Sequence, residues 1–144
     1  MKHLQGTSTI KLVFLSIITF GVFEAFYVDK QTKVINQTST QIDISGRLTS
    51  LIKNLSYLLV ASSLFRVFSV IIGNYQIIIF SLATLQILST VFGTTVLIWS
   101  FLTKDRINQY LNETGNSEKR VNGVWTLIFS AFYINYFINR LNNS

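Results

Sequence analysis

Two charges sit inside otherwise apolar runs, and they are the residues with the most chemistry to offer. Glu24 lies in KLVFLSIITFGVFEAFYV, and Arg66 lies in the long run that begins near Leu51. A charge in hydrocarbon is expensive, so it marks a partner, an ion path or a tight packing contact. An ion pair between the two is the first candidate, and depth argues against it. If the first run ends at Val28, Glu24 is four residues from its end, roughly 6 Å. Arg66 is about 15 residues into its own run from the same side, roughly 22 Å. Lys53 matches the depth of Glu24 and is the better partner, with Lys30 able to fold back. Ser62, Arg66, Ser69 and Gly73 form one helical stripe, the last three at offsets of four, seven and eleven from Ser62. Gln86, Thr90, Gly93 and Thr94 form a comparable stripe in the next run. Such stripes suit close helix packing or a polar path.

Those residues need elements to hold them, and four apolar segments supply them. They cover 10–28, 51–72, 75–102 and 121–141, with polar loops at 29–50 and 103–120. The chain of 144 residues is 49% hydrophobic and only 12% charged. A soluble domain carries about 25% charge. About 20 helical residues cross a hydrocarbon core, and the second and third segments reach that length. Only Gly73, Asn74 and Tyr75 separate them, which dictates a tight helical hairpin. Gly73 and Asn74 take the turn dihedrals, and Tyr75 suits headgroup depth. The expected fold is therefore an all-α integral membrane protein, one domain of four apolar helical segments around a central transmembrane hairpin. In the second loop, Ile107, Tyr110 and Leu111 share a face, so that loop is expected to begin as a helix and stop at Gly115.

Length favours four spans. The N-tail, the Gly73 turn and the C-tail then share a side with Lys2, Lys11 and Arg140. The other side holds Lys30, Lys33, Arg47, Lys53, Lys104, Arg106, Lys119 and Arg120. The positive-inside tendency places both polar loops in the cytoplasm. If the outer segments dip in without crossing, only the uncharged turn is outside, and the same tendency is met more fully. A signal peptide is disfavoured because the first run reaches Tyr27 without a small-residue cleavage site.

A repeat bears on that choice. AFYVDKQTKVIN from Ala25 returns as AFYINYFINRLN from Ala131. Tyr27, Asn36, Tyr133 and Asn142 are its matched interfacial positions. Aromatics followed by polar groups are what a helix leaving a bilayer wants. A pseudo-symmetric fold flanking the hairpin is the sharper reading.

The stretch SIITFGVFEAFYVDKQTKVIN resembles the opening of small bacterial multi-pass membrane proteins, the domain-of-unknown-function family forty-two thirty-four. Thr19, Gly21, Phe23, Phe26, Tyr27, Lys30, Ile35 and Asn36 carry the resemblance, and Phe132, Tyr133, Ile138 and Asn139 carry it at the other end. It implies a multi-pass fold in the bacterial cytoplasmic membrane and no activity.

Several functions are disfavoured. The chain has no cysteine, and its one histidine, His3, lies near the start. The six acidic residues are scattered, and no phosphate-binding glycine loop occurs. No enzyme activity, cofactor or metal is expected. The net charge of +6 clusters beside apolar runs, which suits anionic headgroups rather than nucleic acid. The expected role is a non-enzymatic membrane scaffold, accessory, immunity or regulatory subunit, with lipids and a membrane-protein or homo-oligomeric partner. The alternative is an oligomeric transporter or channel with a polar path near Arg66 and Gln86. Asparagine sequons at Asn36, Asn54, Asn112 and Asn142 are weak motifs and carry nothing in a bacterial protein.

Overall fold

A computed structural model describes residues 6–38, 43–116 and 118–142. Lys2 and His3 lie outside them. Among the described residues the chain is all helix: α1 Thr9–Ile18, α2 Val22–Thr38, α3 Gly46–Ile72, α4 Tyr75–Glu113 and α5 Gly123–Asn142. The expected all-α class holds. Two helices, α3 and α4, are long and apolar enough to cross a membrane.

The central hairpin forms as its sequence dictates. Gly73 ends α3 in the left-handed region at φ 73°, and Asn74 Oδ1 accepts from the Gln76 and Ile77 N–H groups to start α4. A glycine takes that φ at no steric cost, and an asparagine cap satisfies two orphan donors. The hairpin is zipped near its turn by polar contacts. Ser69 Oγ and Ser81 Oγ share a hydrogen bond at 2.9 Å, and Arg66 Nη1 donates to the Ile78 carbonyl at 3.2 Å.

The outer segments differ from the sequence expectation. The segment expected as one helix over 10–28 is broken at Phe20 and Gly21, both at positive φ (50° and 85°). Its second part, α2, then runs on to Thr38, well into the expected loop at 29–50. Gln31, Thr32 and Ile35 are buried along that extension, which gives it a packed face that composition does not show. The expected helix 75–102 likewise continues to Glu113, on the face of Ile107 and Leu111 that the spacing indicated. Gly115 follows at φ 74°, the expected stop. The helix expected over 121–141 is interrupted at Ser130, where φ is 48° and ψ −128°.

Both broken segments turn back on themselves. The Asn122 N–H donates to Tyr133 Oη at 3.3 Å. Along an uninterrupted helix those residues would be about 16 Å apart, beyond a tyrosine's reach. Phe137, Arg140 and Leu141 also share a small concavity with Glu118, Lys119 and Arg120, just before α5 begins. For the first segment, Thr9 shares a groove with Tyr136 and Arg140, while Asn36 at the other end of α2 bonds Ile44, just before α3. The break at Gly21 meets the middle of the hairpin, with Leu59 and Ser63 of α3 and Leu85 and Phe92 of α4 lining the same cleft. So α1 and α2 start and finish at the loop end of the hairpin, as do the two halves of α5.

The two breaks are equivalent positions. Phe20 and Ser130 are 110 residues apart, and the burial pattern over 21–30 is reproduced, residue for residue, over 131–140. The structural repeat therefore pairs Phe26 with Tyr136, Tyr27 with Phe137, Val28 with Ile138, Asp29 with Asn139 and Lys30 with Arg140. The sequence reading paired Ala25 with Ala131, one helical turn away. A slip of four residues rotates a helix by only about 40°, so both registers preserve the apolar face. Aromatic pairs at 132–133 and 136–137 made the two hard to tell apart.

Three asparagines fix the segments that lead into helices. Each offers its side-chain amide to the backbone N–H and C=O of one residue. Asn36 holds Ile44 (3.0 and 2.9 Å), Asn108 holds Val121 (2.7 and 3.2 Å), and Asn135 holds Thr7 (3.1 and 2.7 Å). In every case the residue held is two positions before the first residue of a helix. Each clasp satisfies a backbone donor and acceptor that would otherwise go unpaired beside the packed ends.

Candidate functional site

Trp99 organises the loop half of the hairpin. It is fully buried in α4, meets the Tyr27 ring edge-on at 6.4 Å, and donates from Nε1 to Thr32 Oγ1 at 2.7 Å. Thr32 Oγ1 in turn donates to the Val28 carbonyl. This locks α2 to α4. Tyr27, expected at an interface, is instead 5% exposed, because α2 returns through the packed interior rather than leaving the molecule. Tyr133 is half-buried beside Tyr136, and Asn142 is exposed at the end of α5.

The cleft at the first break is mostly apolar but gathers several polar side chains. Its volume is about 430 Å³, and Glu24, Ser16, Ser63, Gln86 and Ser89 contribute its polar groups beside Phe20 and Phe92. Glu24 is 8% exposed, and Ser16 Oγ is buried with no hydrogen-bond partner. The Ser63 and Ser89 hydroxyls donate to carbonyls of their own helices. The cleft thus presents one buried acid and one buried hydroxyl to whatever enters it.

The expected pairing of Lys53 with Glu24 does not form. Lys53 Nζ bonds Asp29 Oδ1 at 3.3 Å, and Lys33 Nζ bonds Asp29 Oδ2 at 2.9 Å. The cause is the length of α2. Because it continues to Thr38, Glu24 lies 14 residues from its end, roughly 21 Å, and Asp29 reaches the level of Lys53. Glu24 and Arg66 are not brought together either, since Arg66 serves the α4 backbone near the turn.

The two stripes separate. Ser69 packs between the helices as expected, and Ser62 and Arg66 are half-buried beside it. Gln86, Thr90, Gly93 and Thr94 lie on the uncovered face of α4, with the Thr90 and Thr94 hydroxyls bonded to carbonyls one turn back. The face that packs carries Ser81, Phe92, Thr95, Val96, Trp99 and Ser100 instead. Gln86 joins Glu24 at the cleft, but Arg66 does not.

The Lys33 hydrogen bond, seconded by Lys53, holds the Asp29 carboxyl below its usual value of 3.8. A depressed carboxylate adds stability above its unfolded pKa and loses it as pH falls through the folded one. Stability is therefore expected to decline below about pH 4. Asp29→Asn should flatten that decline by less than about 1 kcal/mol, because Lys33 is largely exposed. Unfolding of both proteins in detergent across pH 2–7 checks this, and superimposable profiles would remove Asp29 from the account.

No group of three or more histidine, cysteine, aspartate or glutamate residues that could hold a metal occurs among the described residues. Comparison with protein-family models, with curated proteins and with solved structures finds no match to this chain.

Proposed function

We propose that the chain is a small non-enzymatic integral membrane protein that crosses the bilayer with α3 and α4 alone. Its outer segments enter from the loop side and return to it. One observation carries this reading. The apolar windows of α3 and α4 are only 22% and 11% buried, whereas a soluble core helix of that composition would be covered. Leu64, Val67, Phe68, Ile71, Phe80 and Leu82 project from the turn half with nothing over them, and an apolar surface of that extent needs lipid or a partner. The charges fit: only the uncharged Gly73 turn lies across the membrane, and the basic clusters at Lys30/Lys33, Lys104/Arg106 and Lys119/Arg120 face the cytoplasm.

Such a protein acts by contact. The bare turn half of the hairpin is the surface on which a membrane-protein partner or second copy would pack, in the role of scaffold, accessory, immunity or regulatory subunit. Single cysteines at Ser8, Ser45, Asn74, Asn116 and Asn142 test the topology, since the native chain has no cysteine. With an impermeant thiol reagent on intact cells, only the Asn74 variant should label. Labelling at Ser8 and Asn142 as well would establish four spans and overturn the returning segments.

A second reading has one observation in its favour: the buried Glu24 faces the same cleft as Gln86. In an oligomer, that cleft could form part of a wall along a solute or ion path. Glu24→Gln and Gln86→Leu would then lower flux in reconstituted vesicles at least tenfold while leaving abundance intact. Unchanged flux in both variants removes this reading.

A further inference from the structure

The second returning segment forms a groove against the start of the first. Its volume is about 670 Å³, and it runs between α1 and the two halves of α5. Val13, Trp125, Phe129, Tyr133 and Tyr136 make its walls almost wholly apolar and aromatic. The Trp125 and Phe129 rings stack at 5.6 Å, and those of Tyr133 and Tyr136 at 6.4 Å, so two stacked aromatic pairs line the groove. One end carries Arg140.

Arg140 also lines a second concavity of about 240 Å³, with Lys119, Arg120 and Glu118. Three cations face one acid there. Arg120 Nη2 donates to Asn112 Oδ1 at 3.1 Å, which steadies its guanidinium at the pocket. An apolar groove and a basic pocket thus meet at a single arginine. The pocket lies at the loop end of the hairpin, and the groove leads from it toward the break at Ser130.

We propose that groove and pocket form one site for an anionic phospholipid. An acyl chain lies against the stacked aromatic pairs, and the phosphate rests between Arg140 and Arg120. Guanidinium groups suit phosphate because they present paired donors in one plane. Basic pockets between membrane helices on the cytoplasmic side recognise anionic headgroups in this way. Glu118 bears on the choice of lipid: its carboxylate repels a second negative charge and accepts from a headgroup hydroxyl. A singly charged phosphodiester bearing hydroxyls, as in phosphatidylglycerol, fits better than a dianionic phosphomonoester. The site rests on the membrane reading above, and it adds a defined occupant to it.

The full-length protein, purified in a neutral detergent, would be mixed with equal amounts of phosphatidylglycerol and phosphatidylcholine of identical chains. Bound lipid would be counted by native mass spectrometry. Preferential retention of phosphatidylglycerol is expected. Arg140→Gln should weaken it roughly fivefold, as removal of one interfacial charge does. Arg140→Lys should keep most of it, and Lys30→Gln, at the equivalent place on the other returning segment, should leave it unchanged. Glycerophosphoglycerol, the tail-free phosphodiester with the same single charge and hydroxyls, should not displace the lipid. Equal retention of both lipids, an Arg140→Gln variant that binds like the parent, or full displacement by glycerophosphoglycerol would each overturn the site. If the Asn74 variant still labels from outside in that case, the membrane topology stands without it.

Discussion

Gly21→Ala should cost about 2–5 kcal/mol, a large share of a small protein's stability. Two penalties add. At φ 85° a side chain is strained by about 1–2 kcal/mol. A Cβ there would also lie 2.8 Å from two atoms of the Phe92 ring, closer than real Cβ atoms come. Overpacking of that kind costs about 1–3 kcal/mol. Phe92 is itself 8% exposed, so its ring has little room to withdraw. Gly115 supplies the control. It has a similar φ, 74°, with nothing within 4 Å of a built Cβ, so Gly115→Ala should show the backbone term alone. Ser130→Gly should have the opposite sign, relieving a non-glycine residue from a region that costs of order 1–3 kcal/mol. Denaturant unfolding in micelles, followed by circular dichroism, measures all three. Equal losses for Gly21→Ala and Gly115→Ala would mean that the break does not seat against Phe92 as described.

Trp99→Ala should be the most damaging side-chain truncation, at about 3–5 kcal/mol. No described side chain of greater volume is so fully buried, and it joins α4 to α2 by packing and by a hydrogen bond at once. Trp99→Phe separates the two contributions. It keeps most of the ring and loses the Nε1 donor, for about 1–2 kcal/mol. A cycle with Thr32→Val isolates the bond, since Val fills the same space without accepting it. If the Trp99→Phe and Thr32→Val losses simply add, the bond contributes nothing measurable, because residues that share an interaction should not add.

The hairpin was fully legible. Gly73-Asn74 between two long apolar runs has one physical solution, and the structure takes it. The Gly115 stop and the Ile107–Leu111 face were legible for the same reason, local chemistry acting on local backbone. The breaks were harder. Gly21 was visible as a glycine in an apolar run, but a run of 19 residues reads as one helix until something turns it. At Ser130 nothing in the sequence signals a positive φ, and the surrounding contacts impose it. The returning geometry then shifts every depth derived from straight helices. Straight-helix depths therefore match Lys53 to Glu24, whereas the structure pairs it with Asp29, and they put Tyr27 at an interface, whereas it packs against Trp99. The clasps of Asn36, Asn108 and Asn135 had no usable signal. An asparagine near a helix end is common, and its partner is set only by the tertiary fold.

One of those clasps sets an order of events. Asn135 and Asn139 both bond the backbone of Thr7, across 128 and 132 residues of sequence. Ribosomes add about 5–20 residues per second, so α1 emerges many seconds before the asparagines that fasten its start. During that interval the first segment has its break, its α2 contact and the α3 surface to settle on, but its leading end is unanchored. Fastening of the start of α1 therefore waits until α5 has been made.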